Sequence, residues 1–289
     1  MVSHQPPEHA VQDLPVKAVS LMALNTITGN MPALVQMAAF PLLLSALITA
    51  LSIPALESPM FSWLLSILAY IPHTLFAVAW HRRTLLGLSQ PESTSISAWR
   101  RDHWQFLLKM IILLAICYGI SLIGSLPALM IGIVAPAITP ILILGVLIAA
   151  LYVVARLSFV LPATAVGEAY SLDMSWKHTQ KLGWSLIGAF LLLTVPFVIF
   201  ILFITILAIS NFFTGMPTTP EELKEFNSLL FIQNNGPALF FLQLVILTLT
   251  YFPMAAVISM LSIAFKVCTG WVPAQEKVDA SEDPTEIDE

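Results

Sequence analysis

Residues 110–155 read MIILLAICYGISLIGSLPALMIGIVAPAITPILILGVLIAALYVVA, with Lys109 before them and Arg156 after. The run contains no Asp, Glu, His, Lys or Arg, and its one thiol and two phenols are neutral near pH 7. A helix crosses roughly 30 Å of hydrocarbon with about 20 residues at 1.5 Å each. The run is too long for one crossing and accommodates two with a short turn. Pro127, Pro136 and Pro140 place that turn between about 127 and 138, because proline disfavours continuous helix.

The same reading extends outward in both directions. Apolar runs at 32–55, 60–80, 105–127, 136–157, 184–210 and 238–265 give six spans. The whole chain agrees: 58% of its 289 residues are apolar and 10% are charged, and the mean hydropathy is +0.88. A soluble domain carries about a quarter charged residues. This composition excludes a soluble enzyme, a nucleic-acid-binding domain and a disordered chain. The fold class is an all-α polytopic membrane protein with six transmembrane helices and amphipathic interfacial helices.

Charge placement orients the spans, since Lys and Arg stay on the cytoplasmic side. With the N-terminus inside, the inner segments hold Lys17, Arg82, Arg83, Arg100, Arg101, Lys109, Arg156, Lys177, Lys181, Lys266 and Lys277. These are eleven of the twelve cations, and only Lys224 falls outside. Both termini are therefore expected in the cytoplasm. Residues 1–30 carry Pro6, Pro7, Glu8, Asp13 and the single cation Lys17, which is not the pattern of a cleaved signal peptide. The first run reads as a retained span. Seven of the 17 acids (Glu276, Asp279, Glu282, Asp283, Glu286, Asp288 and Glu289) crowd into 276–289, which reads as a disordered acidic cytoplasmic tail. Residues 1–275 form the transmembrane domain.

Between spans the sequence predicts further helices. In 95–109, Ile96, Trp99, His103, Phe106 and Leu107 share one face at 100° per residue, opposite Arg101, Asp102, Gln105 and Lys109. In 171–184, Leu172, Trp176, Thr179 and Gly183 oppose Asp173, Lys177 and Lys181. Ser95 and Ser171 are the expected caps. Residues 14–29 read as a weaker copy, with Val16, Val19, Ala23 and Ile27 together. Each such helix precedes a two-span hairpin whose second span ends at a cation: Arg82, Arg156 or Lys266. The expected unit is interfacial helix, span, outer turn, span, used three times. In the outer loop, Thr219-Pro220-Glu221-Glu222 reads as a helix start, and Asn234-Asn235-Gly236-Pro237 as its stop.

Two stretches also carry a family resemblance. Ala77-Val78-Ala79-Trp80-His81-Arg82-Arg83-Thr84-Leu85-Leu86-Gly87 is one. The other is Arg156-Leu157-Ser158-Phe159-Val160-Leu161-Pro162-Ala163-Thr164-Ala165-Val166-Gly167, followed by Ser171 and Trp176. Together they resemble the uncharacterised YciC-like bacterial inner-membrane proteins and the related membrane domain of some glycerophosphoryl diester phosphodiesterases. The resemblance covers about residues 10–270 and implies a six-span bacterial inner-membrane protein without an assigned activity. The phosphodiesterase barrel would need about 250 residues, so its hydrolytic activity does not carry over.

Residue chemistry narrows the function further. Cys117 and Cys268 have no spaced partner. No carboxylate lies inside a span, which disfavours ion-coupled transport. His73, after Pro72, is the one ionisable group near mid-membrane; it reads either as a proton relay or ligand contact or, since it has no titratable relay partner, as a neutral histidine bonded to a neighbouring helix. His81 and His103 with Asp102 or Glu92 match no metal-ligand spacing. No phosphate loop, nucleophile elbow or zinc helix occurs. Gly119, Gly124, Gly132 and Gly145 are read as sites of close helix approach. What remains is a cytoplasmic collar of tryptophans and cations: Trp80, Arg82, Arg83, Trp99, Arg100, Arg101, Trp104, Arg156, Trp176, Lys177, Lys181 and Trp184. Ordinary anchoring explains much of such a belt. As a binding surface it would hold phospholipid headgroups, anionic ones above all. Arg156, flanked by apolar residues, must find either a phosphate or a helix C-terminal carbonyl. The expectation is a non-enzymatic membrane protein without cofactor or metal, serving envelope or lipid homeostasis through lipid or protein binding. The alternative is a transporter or channel for a small or lipidic substrate.

Overall fold

The computed structural model describes residues 14–52, 58–88, 91–213, 217, 219, 221–222 and 228–273. The acidic tail lies outside the described residues, as do the centre of the outer loop and Lys224. The chain is an all-α polytopic membrane protein. Its helices are α1 (Val16–Thr28), α2 (Met31–Ser52), α3 (Pro59–Leu68), α4 (Tyr70–Leu86), α5 (Arg101–Val134), α6 (Thr139–Leu157), α7 (Val160–Ala165), α8 (Leu172–His178), α9 (Gly183–Phe212) and α10 (Ser228–Thr269). Among the described residues, six stretches are long and apolar enough to cross a membrane. The second of these combines α3 with α4, and the fourth combines α6 with α7.

α10 is the centre of the bundle and touches α1, α2, α4, α7 and α9. α5 and α6 pair as a hairpin on the flank, with α5 against α4 and α7 and α6 against α9. Within lipid there is little hydrophobic gain from helix association, so close packing and interhelical hydrogen bonds must supply it. The contact between α4 and α10 has both. Ala77 and Ala79 on α4 and Ala255, Ala256 and Ala264 on α10 are buried and small. Ser259 and Ser262, one turn apart on α10, meet Trp80 and His81 of α4: Trp80 Nε1 donates to Ser259 Oγ at 2.9 Å, and His81 Nδ1 lies 2.7 Å from Ser262 Oγ.

Several expected boundaries move, for one physical reason. α5 runs straight through Pro127, and the turn is confined to a 3-10 segment, Pro136–Ile138. The expected stop at Asn234–Pro237 is not a stop, and α10 passes through Pro237 and Pro253. A chain leaving its helix in hydrocarbon would strand backbone groups that no water can satisfy, so the helix continues through proline. Asn235 Nδ2 donates to Phe231 O at 3.0 Å inside that turn. The start of the outer helix is as read: Glu222 N–H donates to Thr219 Oγ1 at 3.2 Å, and Thr219 N–H to Glu222 Oε2 at 3.3 Å.

The interfacial helices also differ from expectation. The segment at 95–109 is not a separate helix lying flat. After a short turn, Ile96–Ala98, it is the first part of α5. Thirty-four residues make that helix about 51 Å long, so its N-terminal turns extend beyond about 30 Å of hydrocarbon. Ser95 does not cap it. Instead the Arg100 N–H donates to His103 Nδ1 at 3.2 Å. At 171–184 the helix is only Leu172–His178, capped as expected by Ser171 Oγ, which accepts the Met174 N–H at 3.1 Å. The weakest reading, 14–29, is the fullest separate helix: Val19, Ala23 and Ile27 of α1 are buried where it packs against α9 and α10.

A feature of the threefold pattern absent from the hydropathy reading is the end of each hairpin. α4 ends at Gly87, the α6–α7 segment at Gly167 and α10 at Gly270, with φ of 63°, 77° and 62°. A left-handed residue closes a helix by letting the next N–H turn back on the last carbonyls, and glycine adopts it without strain.

Candidate functional site

The span ends nearest the cations are stitched together by side chains, which gathers the collar residues at one end of the bundle. Lys109, the residue immediately before the apolar run, donates to Thr164 Oγ1 and to Tyr170 O, both at 2.8 Å. Tyr170 Oη lies 2.5 Å from His178 Nδ1. Burial pushes the Tyr170 phenol up and holds the His178 imidazole below its usual range, both favouring the neutral pair. Trp271 Nε1 donates to Glu168 Oε1 at 2.8 Å, joining the end of α10 to the loop after α7.

Within this frame the expected collar separates into buried and exposed parts. Arg156 is 7% exposed. Its guanidinium donates to Trp176 O at 2.5 Å and lies 3.6 Å from the centre of the Trp176 ring. Its own carbonyl accepts the hydroxyls of Ser175 and Thr179, each at 2.8 Å. The choice left open by the sequence, phosphate or carbonyl, falls on the carbonyl. Arg82 is half-buried beside Glu92 at 3.3 Å and Asp102 at 4.0 Å, an acidic pair that neutralises it. Arg83 is half-buried and donates to Asn30 Oδ1 at 2.9 Å. Trp99 is half-buried between the rings of His103 and Trp104, at 5.4 and 5.1 Å.

The remaining residues form an exposed rim. Arg100, Arg101 and Trp104 face outward at the start of α5. Trp176, Lys177 and Lys181 do so around α8, with Trp184 beyond them. Lys177 pairs with Asp173 at 2.6 Å, but both are largely exposed, so the pair contributes little. Cations on water-exposed turns with tryptophan beside them suit a headgroup layer.

Inside the spans, His73 is not bonded to a neighbouring helix. Its Nδ1 lies 2.7 Å from Ala69 O, four residues back at the α3–α4 break, and its ring stacks on Tyr251 at 6.0 Å. His73 and His81 border a cavity of about 520 Å³ lined mainly by apolar side chains, among them Phe106, Met110, Phe197 and Met254. A second cavity, of about 1070 Å³, lies between the C-terminal half of α9 and the N-terminal half of α10 against Leu207, Phe213, Phe241 and Val245. Two of the four span glycines sit at close approaches: a Cβ on Gly124 would come within 2.6 Å of Val146, and one on Gly132 within 2.5 Å of Thr139. Gly119 and Gly145 face open space. Among the described residues no group of three His, Cys, Asp or Glu side chains could hold a metal ion.

Sequence reasoning missed Asn30, Lys109, Tyr170, His178, Ser259 and Ser262 as partners. Only the serines had a local signal, two small polar residues one turn apart in an apolar helix. No family model, curated protein or solved structure matches the chain.

Proposed function

We propose that this is a non-enzymatic protein of the bacterial cytoplasmic membrane, of the YciC-like kind, that serves envelope or lipid homeostasis by binding phospholipid. The observation that carries the reading is the apolar cavity beside His73 and His81, set among the spans beneath a rim of exposed cations and tryptophans; the second apolar cavity lies towards the opposite end of the bundle. The first cavity reaches the lipid-facing surface at Val198, which is 53% exposed. Acyl chains fill such spaces, while the rim offers about 1 kcal/mol per cation to anionic headgroups.

Transport is the second reading, and the polar groups of the first cavity speak against it. Thr194 and Thr250 spend their hydroxyls on carbonyls of their own helices, Phe190 O and Ile246 O, both at 2.7 Å. His73 and His81 are bonded through Nδ1 as described. With these few polar groups set among mainly apolar lining residues, the cavity suits an acyl chain better than an aqueous path.

Native mass spectrometry of protein released in mild detergent tests the proposal. The expected result is retained phospholipid enriched in anionic species relative to the bulk membrane. Retained lipid of bulk composition, or none, would end the reading. The eleven-to-one distribution of cations supports cytoplasmic termini. A reporter fused at Ala135 should then read outside and one at Glu168 inside; the reverse pair would invert the topology.

A further inference from the structure

His73 has no task in the reading above. It lies near the middle of the membrane-crossing stretch Met60–Leu86, where an ionisable side chain is costly and is retained for a purpose. Its Nδ1 is 2.7 Å from Ala69 O. A carbonyl cannot donate, so Nδ1 carries the proton, and in a neutral imidazole Nε2 is then a bare acceptor. Nε2 has no hydrogen-bond partner among the described residues and is not sealed in by protein. The ring is half-buried and lines the cavity of about 520 Å³ bounded by α4, α5, α7, α9 and α10.

The other polar side chains of the lining tip the cavity the same way. Thr194 and Thr250 have given their protons to Phe190 O and Ile246 O, so each turns only lone pairs to a ligand. His81, bonded to Ser262, lies nearer the cation-rich end, about 12 Å along α4 from His73. Apart from His81, the polar side chains thus offer acceptors and no donor. Phe106, Phe190, Phe197 and Met254 supply apolar wall. A hydroxyl dissolved in hydrocarbon lacks an acceptor, and the bare Nε2 lacks a donor. Pairing them removes both penalties.

We propose that this cavity binds a neutral lipid carrying a hydroxyl, an aliphatic alcohol or a phenol, whose O–H donates to His73 Nε2. The depth of His73 sets the rest of the ligand's chemistry. It lies about 20 Å along α4 from the last residue, Leu86, so a headgroup held at the membrane surface cannot bring its donor there. The ligand must carry no charge and must lie wholly within hydrocarbon. Phospholipid chains offer no donor and fill the cavity by default. The hydroxylated lipid displaces them because it satisfies the histidine. The inference rests on the reading of this cavity as a lipid site and goes beyond it in naming the group that is recognised.

Matched pairs of ligands test it: hexadecanol against its methyl ether, and a prenylated hydroquinone against its dimethyl ether. Each competes with phosphatidylcholine for the full chain in mild detergent, and native mass spectrometry reads what is bound. Wild type should bind the hydroxyl member of at least one pair about tenfold more tightly than its ether, the size of one net hydrogen bond. Discrimination in the first pair identifies an aliphatic alcohol and in the second a phenol, and either supports the proposal. His73→Phe keeps a ring beside Tyr251 but removes the acceptor, and should bring each pair within about twofold. Thr194→Phe narrows the cavity from α9 and should lower binding of the hydroxyl ligand by about tenfold or more. It carries the test if His73→Phe does not fold. Ile123→Phe, on the lipid-facing side of α5 and outside both the cavity and the cationic rim, should change nothing. Equal binding within both pairs, a preference that survives in folded His73→Phe, or undiminished binding in Thr194→Phe overturns the proposal. Retained anionic phospholipid with no preference for a hydroxyl overturns this site and leaves the lipid-binding reading standing. Hydroxyl-selective binding without retained anionic phospholipid supports the site and ends that reading.

Discussion

Arg156→Met will lower the stability of the detergent-solubilised protein by about 3 kcal/mol, the sum expected for a desolvated cation–π contact and a charge-assisted hydrogen bond. The guanidinium sits over the Trp176 ring and bonds the Trp176 carbonyl, so it ties the end of α6 to α8 through one residue. Methionine keeps most of the length and none of the charge. Trp176 O would retain only a long contact from Thr179 Oγ1, at 3.5 Å. Anionic-lipid retention should stay at the wild-type level, because Arg156 is buried and not part of the exposed rim. Thermal unfolding followed by tryptophan fluorescence reads the first effect, and mass spectrometry of bound lipid reads the second. A fully stable variant that has lost its lipid would return Arg156 to the headgroup surface.

That arginine shows where sequence reasoning reached its limit. Its flanking apolar residues established that it needed an acceptor, and the two candidate acceptors were both stated. Choosing between them required knowing that α8 folds back over the end of α6. Sequence spacing does not contain that fact, since Arg156 and Trp176 are separated by a helix, a loop and a capped turn. The same holds for Lys109 with Tyr170, which lies just past the far end of the same hairpin, and for Trp80 with Ser259, whose helices belong to different hairpins.

The span count was legible because hydrocarbon imposes a length and a composition that few other constraints disturb. Helix ends were legible only where a side chain makes them, as Ser171 and Thr219 do. Where the signal was proline, soluble-protein rules failed. Pro127 and Pro237 sit inside continuous helices because, in lipid, breaking a helix costs more than one missing hydrogen bond. The amphipathic pattern at 95–109 was real, with His103 and Phe106 buried and Arg101 and Gln105 exposed. Its meaning was misread: a polar face in the first turns of a long span requires only that those turns emerge from the membrane.

Trp80→Ala should be the most damaging single change, costing about 3–5 kcal/mol, as large-to-small core substitutions do. Trp80 is wholly buried at the central contact between α4 and α10, stacked on Phe76 with ring centres 5.8 Å apart. Hydrocarbon surrounds the bundle, so the loss is mainly of dispersion contacts and of the bond to Ser259, not of burial from water. The two parts separate experimentally. Trp80→Phe retains most of the ring and removes the N–H, leaving Ser259 Oγ without its donor, for a cost of about 1–2 kcal/mol. Ser259→Ala should cost a similar amount alone but little when added to Trp80→Phe, because the bond is already gone. Unfolding midpoints of the two single variants and the double variant in one detergent provide the cycle. Simple additivity would show that the indole N–H contributes nothing across this interface and that shape alone holds α4 against α10.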